Sequence, residues 1–101
     1  MKSKLLNGIL DIVSEVCEVS PEDICSMRKN EYIVEARSIF AATCIEYGLS
    51  VGVIAGFLKR KRIISVYDCA RNYKTFRKQS YSFRLLCDEV STKMSEMYPR
   101  S

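Results

Sequence analysis

Apolar residues recur at three- and four-residue intervals along most of the chain, which is the spacing that places side chains on one face of an α-helix. The first such segment predicts a helix from about residue 3 to residue 17, with Asp11 and Glu15 on its polar side. Its apolar positions are Leu5, Leu6, Ile9, Leu10, Ile12, Val13, Val16 and Cys17. Nothing alternates with a period of two for long enough to indicate a sheet. The pattern therefore predicts an all-α fold.

Helix-capping residues divide the next part of the chain. Ser20 followed by Pro21 is a typical helix start, and it predicts a short helix that ends near Ser26. A long helix is predicted over residues 31–47, and Gly48 suits the left-handed residue that ends many helices. Ser50 can then cap a fourth, short helix.

Two more helices are predicted after the basic turn, the last from about residue 80 to residue 97. In the fifth helix we expect Ile63 to be buried because it lies on the same helical stripe as Val66 and Ala70. Tyr67 and Tyr73 are also expected to pack against the core. Ile64 lies off that stripe, so burial does not explain it.

The composition narrows the class of protein. With 101 residues, of which 48% are hydrophobic, we expect one domain over residues 1–101. Five cysteines without a C-x-x-C pair are expected to be reduced thiols in or near the core. Because histidine and nucleotide-binding glycine motifs are absent, we expect no enzyme, no cofactor, no metal site and no small-molecule substrate.

No membrane attachment is expected either. No stretch reaches the roughly 20 apolar residues that cross a bilayer. Asp11 and Glu15 interrupt the segment where a secretory signal would be apolar throughout. We therefore expect a cytoplasmic protein.

Positive charge is concentrated in a short window. Residues 1–50 carry a net charge of −3 and residues 51–101 carry +7, within a total of +4. Between residues 59 and 78, only Asp68 opposes eight cations, which are Lys59, Arg60, Lys61, Arg62, Arg71, Lys74, Arg77 and Lys78. One interpretation is a solvated face that keeps the protein soluble. Because four of the cations lie at the turn of a helix pair, we favour a nucleic-acid surface.

Two segments carry a family resemblance. The first, ILDIVSEVCEVSPEDICSMRKNEYIVEARSIFAATC, contains an apolar helix, a short capped helix and a long helix. The second is LSVGVIAGFLKRKRIISVYDCARNY. Together, from about Ile9 to Tyr73, they resemble the C-terminal DNA-binding domain (domain IV) of the bacterial chromosomal replication initiator DnaA, which is related to the Trp repressor. The resemblance does not extend to the ATPase module of the initiator, so initiation itself is not expected.

The resemblance implies a domain plan and a first set of DNA contacts. It implies a helical core over residues 5–74 with a helix-turn-helix at about residues 50–74, and residues 75–101, outside the resemblance, are expected to form an additional C-terminal helix. Arg28 and Lys29 match a basic loop that contacts the minor groove in the family. Arg37 matches an arginine near the start of the long helix.

The turn departs from the family's signature, Gly-Gly-Arg-Asp-His-Thr-Thr-Val. Lys59 and Arg60 replace the two glycines, which predicts a somewhat different backbone path, and Lys61 stands for the arginine. The Asp-His-Thr-Thr positions hold Arg62, Ile63, Ile64 and Ser65, and Val66 and Arg71 match a valine and a basic residue of the family. Because only Ser65 keeps a comparable side chain, we expect a box specificity different from that of the initiator.

The leading hypothesis is a nucleoid-associated protein that binds double-stranded DNA. Lys59, Arg60 and Lys61 would contact phosphates, and Arg62 or Ser65 would reach base edges. Ile64 would touch a thymine methyl group, and Arg71 and Lys74 would meet the DNA backbone or favour the helix dipole.

The alternative is a domain repurposed for protein binding. Its contact surface would be the Ile63–Ile64 pair and the C-terminal helix, which could also form a homodimer.

Overall fold

Six α-helices make up most of residues 2–99, which are the residues that this computed structural model describes, and no strand occurs among them. The helices are α1 (Lys2–Cys17), α2 (Pro21–Ile24), α3 (Glu31–Glu46), α4 (Val51–Phe57), α5 (Ile64–Gln79) and α6 (Tyr81–Met97). The all-α prediction is confirmed. The predicted domain ends at residues 1, 100 and 101 lie outside the described residues. None of the six helices is long and apolar enough to cross a membrane.

Helix α3 lies at the centre and packs against each of the other five helices. It is buried on most of its circumference rather than along one stripe, as expected of a helix surrounded by others. Phe40 is fully buried and stacks on Phe57 of α4, with the ring centroids 5.7 Å apart. The packing on α3 therefore sets where α4 and α5 stand.

Helix α6 completes the core. Its buried side chains are Phe83, Cys87, Val90 and Met94. The Phe83 ring meets the edges of two rings of α5, with centroids 5.8 Å from Tyr73 and 5.3 Å from Phe76. On the other side, Lys93 pairs with Glu15 of α1 at 3.0 Å. The expected C-terminal helix is thus built into the same core as the other five.

Three helices end in the same way, with one residue in the left-handed conformation. Glu18, Gly48 and Lys59 have φ angles of 55°, 85° and 58°. In each case the next N–H donates to a carbonyl five residues earlier, as in a Schellman motif. These bonds are Val19 to Ser14 at 3.2 Å, Leu49 to Cys44 at 3.0 Å and Arg60 to Ala55 at 2.8 Å. The predicted role of Gly48 is confirmed, and Lys59 adopts the left-handed conformation that favours glycine.

Arg37 fastens the loop between α2 and α3 from inside. Only 6% of Arg37 is exposed. Its Nε donates to the Ile24 carbonyl at 2.8 Å, and its Nη2 donates to the carbonyls of Asp23 at 3.2 Å and Arg28 at 2.9 Å. Burial, and then the positive charge of Arg60, lower the pKa of Arg37, but an arginine stays protonated at neutral pH. Backbone carbonyls therefore compensate a buried charge without any carboxylate in ion-pair contact among residues 2–99.

Arg60 fastens the same loop from the α4–α5 turn. Its Nη2 donates to the Ser26 carbonyl at 2.7 Å. Its Nη1 donates to the Leu58 carbonyl at 3.2 Å and to Met27 Sδ at 2.8 Å. We call Arg37, Arg60 and these bonds to residues 23–28 the arginine clasp. The clasp brings two segments together that are more than 30 residues apart in the sequence.

We expect Lys59→Gly to raise the free energy of unfolding by about 0.5–1 kcal/mol, because glycine avoids the steric penalty of a left-handed L-residue. Glu18→Gly should have a similar effect, and Gly48→Ala the opposite one. Urea unfolding followed by circular dichroism measures all three. If Lys59→Gly destabilises as much as Lys61→Gly, the left-handed conformation at Lys59 is wrong.

We expect Arg37→Met to lower the free energy of unfolding by about 2–3 kcal/mol, since it leaves the bonded carbonyls without their donor. Arg37→Lys should lose nearly as much, because an ammonium group cannot reproduce the planar fork of the guanidinium. The control is Arg71→Met, on an exposed side chain, with an expected change within about 0.5 kcal/mol. Equal effects of Arg37→Met and Arg71→Met in urea unfolding would contradict the clasp.

Candidate nucleic-acid interface

The turn between α4 and α5 holds three exposed cations. They are Lys59, Lys61 and Arg62. Within residues 2–99, no carboxylate forms an ion pair with any of them. Arg60, the fourth cation of the turn, is half-buried in the clasp. The three outward cations are therefore available to an external anion.

The clasp places a second basic segment beside this turn. Arg28 and Lys29 lie on the α2–α3 loop and are exposed. The Arg28 side chain is 71% exposed and meets Asp23 at 3.4 Å, a distance and exposure at which an ion pair is weak. Because Arg60 bonds to Ser26, the α2–α3 loop lies against the α4–α5 turn, and the cations of both form one continuous basic surface.

One exposed stripe runs the length of α5. It follows the spacing i, i+3, i+7, i+10 and i+14 and consists of Ile64, Tyr67, Arg71, Lys74 and Lys78. Its first two residues are apolar and its last three are cationic. Asp68, beside the stripe, pairs with Arg71 at 3.1 Å. We define the basic face as the exposed cations of loop, turn and stripe, namely Arg28, Lys29, Lys59, Lys61, Arg62, Arg71, Lys74 and Lys78.

The N-terminus of α5 is open. Helices α2, α3, α4 and α6 each begin with a side-chain cap, from Ser20, Asn30, Ser50 and Ser80 respectively. Ile63, at the same position of α5, makes no side-chain cap bond, and the first turn of α5 holds no acidic residue. The N–H groups of Ser65 and Val66 donate to the carbonyls of Arg62 and Ile63, so the start of α5 beside Lys61 and Arg62 has backbone partners but no side-chain cap.

A groove of about 420 Å³ separates the α2–α3 loop from α5. Lys29 and Arg60 line it on the loop and turn side, and Ser65, Arg71 and Asn72 line it on the helix side. Ser65 is half-buried in this groove rather than on the outer stripe. Asp68 also lines the helix side, so the groove holds one carboxylate among the groups that can donate hydrogen bonds to an anion.

Four expectations for individual side chains need correction. Arg37 was expected to contact DNA. It is buried instead, and its described side-chain bonds all go to backbone carbonyls of residues 23–28. Arg60 was expected on phosphates and bonds to protein groups through both Nη atoms. Ile63 and Tyr67 were expected in the core and are 49% and 48% exposed. Ile63 precedes Val66, the first residue of α5 in the core, and Tyr67 lies on the exposed stripe. Tyr73 packs on Phe83 as expected.

Three parts of the basic face and its surroundings were not assigned from the sequence. Lys78 was counted among the cations but was not predicted to contact DNA, and Tyr67 was predicted to pack against the core. Both follow from the spacing of the exposed stripe once Val66 defines the buried side of α5. The open N-terminus could have been read from Arg62, Ile63 and Ile64, none of which is a residue that caps helices well.

The cysteines provide no reactive group at this surface. All five are free thiols, as predicted. Burial raises the pKa of Cys25 and Cys69, although the nearby Arg60 and Arg37 act in the opposite direction. Burial raises the pKa of Cys17 and Cys44 to about 12. These four thiols are therefore protonated at neutral pH.

Comparison with known proteins does not assign a family or a function to this surface. No protein-family model matches the chain, and no curated protein is significantly similar to it. The resemblance to the C-terminal domain of DnaA thus stays a prediction from the residues quoted above, and the functional argument depends on the basic face.

Proposed function

We propose that this protein binds double-stranded DNA, with α4 and α5 acting as a helix-turn-helix in a domain similar to the C-terminal domain of DnaA. Helix α5 would be the recognition helix. Its 16 residues give it a length of roughly 24 Å. The major groove of B-DNA, about 12 Å wide, admits one helix of this kind.

The observation that carries this proposal is the basic face. Its eight cations come from three separate segments, yet within residues 2–99 their ion pairs are limited to Arg28 with Asp23 and Arg71 with Asp68, both exposed. Of the eight acidic residues in the first half of the chain, Asp23 meets Arg28 on this face, and within residues 2–99 six of the eight cations have no ion-pair partner. Uncompensated cations of one sign, spread over a helix, a turn and a loop, match the regular negative charge of a duplex.

The geometry supports different roles for different cations. Lys59 and Lys61 lie in the turn that leads into the uncapped start of α5, where phosphate oxygens are favoured by both the side chains and the helix dipole. Arg62 directly precedes the recognition helix and can reach either a phosphate or a base edge. Arg28 and Lys29, held beside the turn by the clasp, would reach the backbone or the minor groove next to the occupied major groove.

One observation favours a second candidate, the binding of a protein partner. Ile63, Ile64 and Tyr67 together form an exposed apolar patch at the start of α5. Such a patch can mark a protein interface. This candidate predicts a dimer or complex that buries Ile64 and no binding to duplex DNA at low salt.

We expect the protein to bind a random-sequence duplex with a slope of log affinity against log salt of about −4 to −7, for contacts from five to eight cations. Lys61→Glu combined with Arg62→Glu should weaken binding by about 100-fold or more at low salt and reduce the slope by about two. Thermal unfolding should be unchanged, since neither side chain forms an ion pair within residues 2–99. Fluorescence anisotropy of a labelled duplex gives both quantities.

The matched comparison is Lys61→Glu against Lys4→Glu, which change the net charge equally. Lys4 is exposed on α1, a helix that packs against α2, α3 and α6 and contributes nothing to the basic face. Equal loss of binding in the two variants would mean that net charge alone attracts DNA. Binding that does not change with salt would rule out the basic face. Arg60 is unsuitable for reversal because its loss would release the loop.

A further inference from the structure

We propose that the apolar start of α5 reads the C5-methyl groups of thymines in the major groove. This inference rests on the proposed DNA binding and specifies which chemical feature of the duplex is recognised. The reading element consists of Ile64 and Tyr67, supported at its edge by Ile63. The juxtaposition that carries the inference is an exposed apolar patch enclosed by cations at the tip of the recognition helix.

The patch combines exposed apolar side chains with neighbouring cations. Ile63, Ile64 and Tyr67 are 49%, 50% and 48% exposed, so each leaves about half of its surface in water. Lys61 and Arg62 precede the patch in the sequence, and Arg71 follows it one turn beyond Tyr67 on the same stripe. Leaving apolar surface in water is unfavourable, and a partner that covers this patch must also accept the adjacent cations.

Duplex DNA satisfies both requirements better than a protein does. The cores of protein interfaces are depleted in charged residues, whereas three cations border this patch closely. On DNA, the phosphates flank the groove and can receive the cations, while the groove floor lies between them. The thymine methyl is the apolar group that base edges present on that floor. The charge pattern therefore favours DNA as the occupant.

The polar side chains of α5 leave few other ways to read bases. Adenine is read best by Asn or Gln, and the first two turns of α5, residues 64–71, contain neither. Ser65 is half-buried in the groove beside the α2–α3 loop, and Asn72 lines the same groove. Arg71 can read guanine and is oriented by Asp68 at 3.1 Å. Apolar contact is thus the mode of readout that the tip of the helix offers.

Replacement of thymine by deoxyuridine tests this directly, because it removes the methyl group and leaves base pairing and phosphates in place. We expect the full chain to bind a random-sequence duplex made with thymine more tightly than the same duplex made with deoxyuridine. Burial of one methyl is worth about 0.8 kcal/mol, so the difference should be about fourfold per methyl contacted. The slope against salt should be the same for both duplexes.

A variant cycle assigns the effect to the patch. Ile64→Ala should weaken binding to the thymine duplex and leave binding to the deoxyuridine duplex nearly unchanged, so that the difference between duplexes shrinks. The control is Leu85→Ala on α6, where Leu85 is also 50% exposed. Leu85→Ala should keep the full difference. Circular dichroism confirms that each variant is folded.

Each result decides between the proposals. Equal affinity of the wild type for both duplexes, or an equal loss on both in Ile64→Ala, overturns methyl readout while DNA binding stands. No binding to either duplex at low salt overturns DNA binding and methyl readout together. A dimer in sedimentation experiments that Ile64→Ala dissociates, combined with no duplex binding, assigns the patch to a second copy of the chain instead.

Discussion

Two guanidinium groups connect parts of this protein that would otherwise be independent. Arg37 and Arg60 donate to carbonyls of residues 23–28, one from the central helix and one from the α4–α5 turn. A short loop without regular structure has few bonds of its own, and these donors give it a defined position. Because the loop carries Arg28 and Lys29, the clasp also decides where those charges stand. The part of the basic face on the loop depends on this one set of bonds.

Several locally unfavourable features occur at the same end of the molecule. Lys59 adopts a left-handed conformation, three cations of the turn have no ion-pair partner among residues 2–99, α5 begins without a cap, and Ile64 is half exposed. Each lowers stability slightly. Single instances occur elsewhere, such as the left-handed Glu18 and the half-exposed Leu85, but at this turn the four features occur together. Local features that conflict with the rest of a well-packed fold tend to gather at functional sites. Here all of them lie on the surface that we propose for DNA.

The six helices could be predicted from the sequence because their determinants are local. Ser20 and Ser50 cap helices, Gly48 ends one in the left-handed conformation, and the apolar spacing of α1 and α6 requires nothing beyond its own periodicity. The prediction failed at Ile63. Its spacing from Val66 and Ala70 indicated burial, but Ile63 precedes the part of α5 that packs against the core. A helical pattern states which residues share a side, but it does not state where along the helix the neighbouring helices begin.

The basic face, too, was determined in part by the sequence and in part by the tertiary structure. The excess of cations between residues 59 and 78 is a property of the sequence alone, and so is the scarcity of acids that could neutralise it. The tertiary structure decided which arginines serve the fold and which face solvent, since Arg37 and Arg60 are indistinguishable from Arg28 and Arg62 by residue type. A guanidinium group holds a loop or an external phosphate through the same donors. Only the positions of backbone carbonyls in the folded chain determine which of the two it binds.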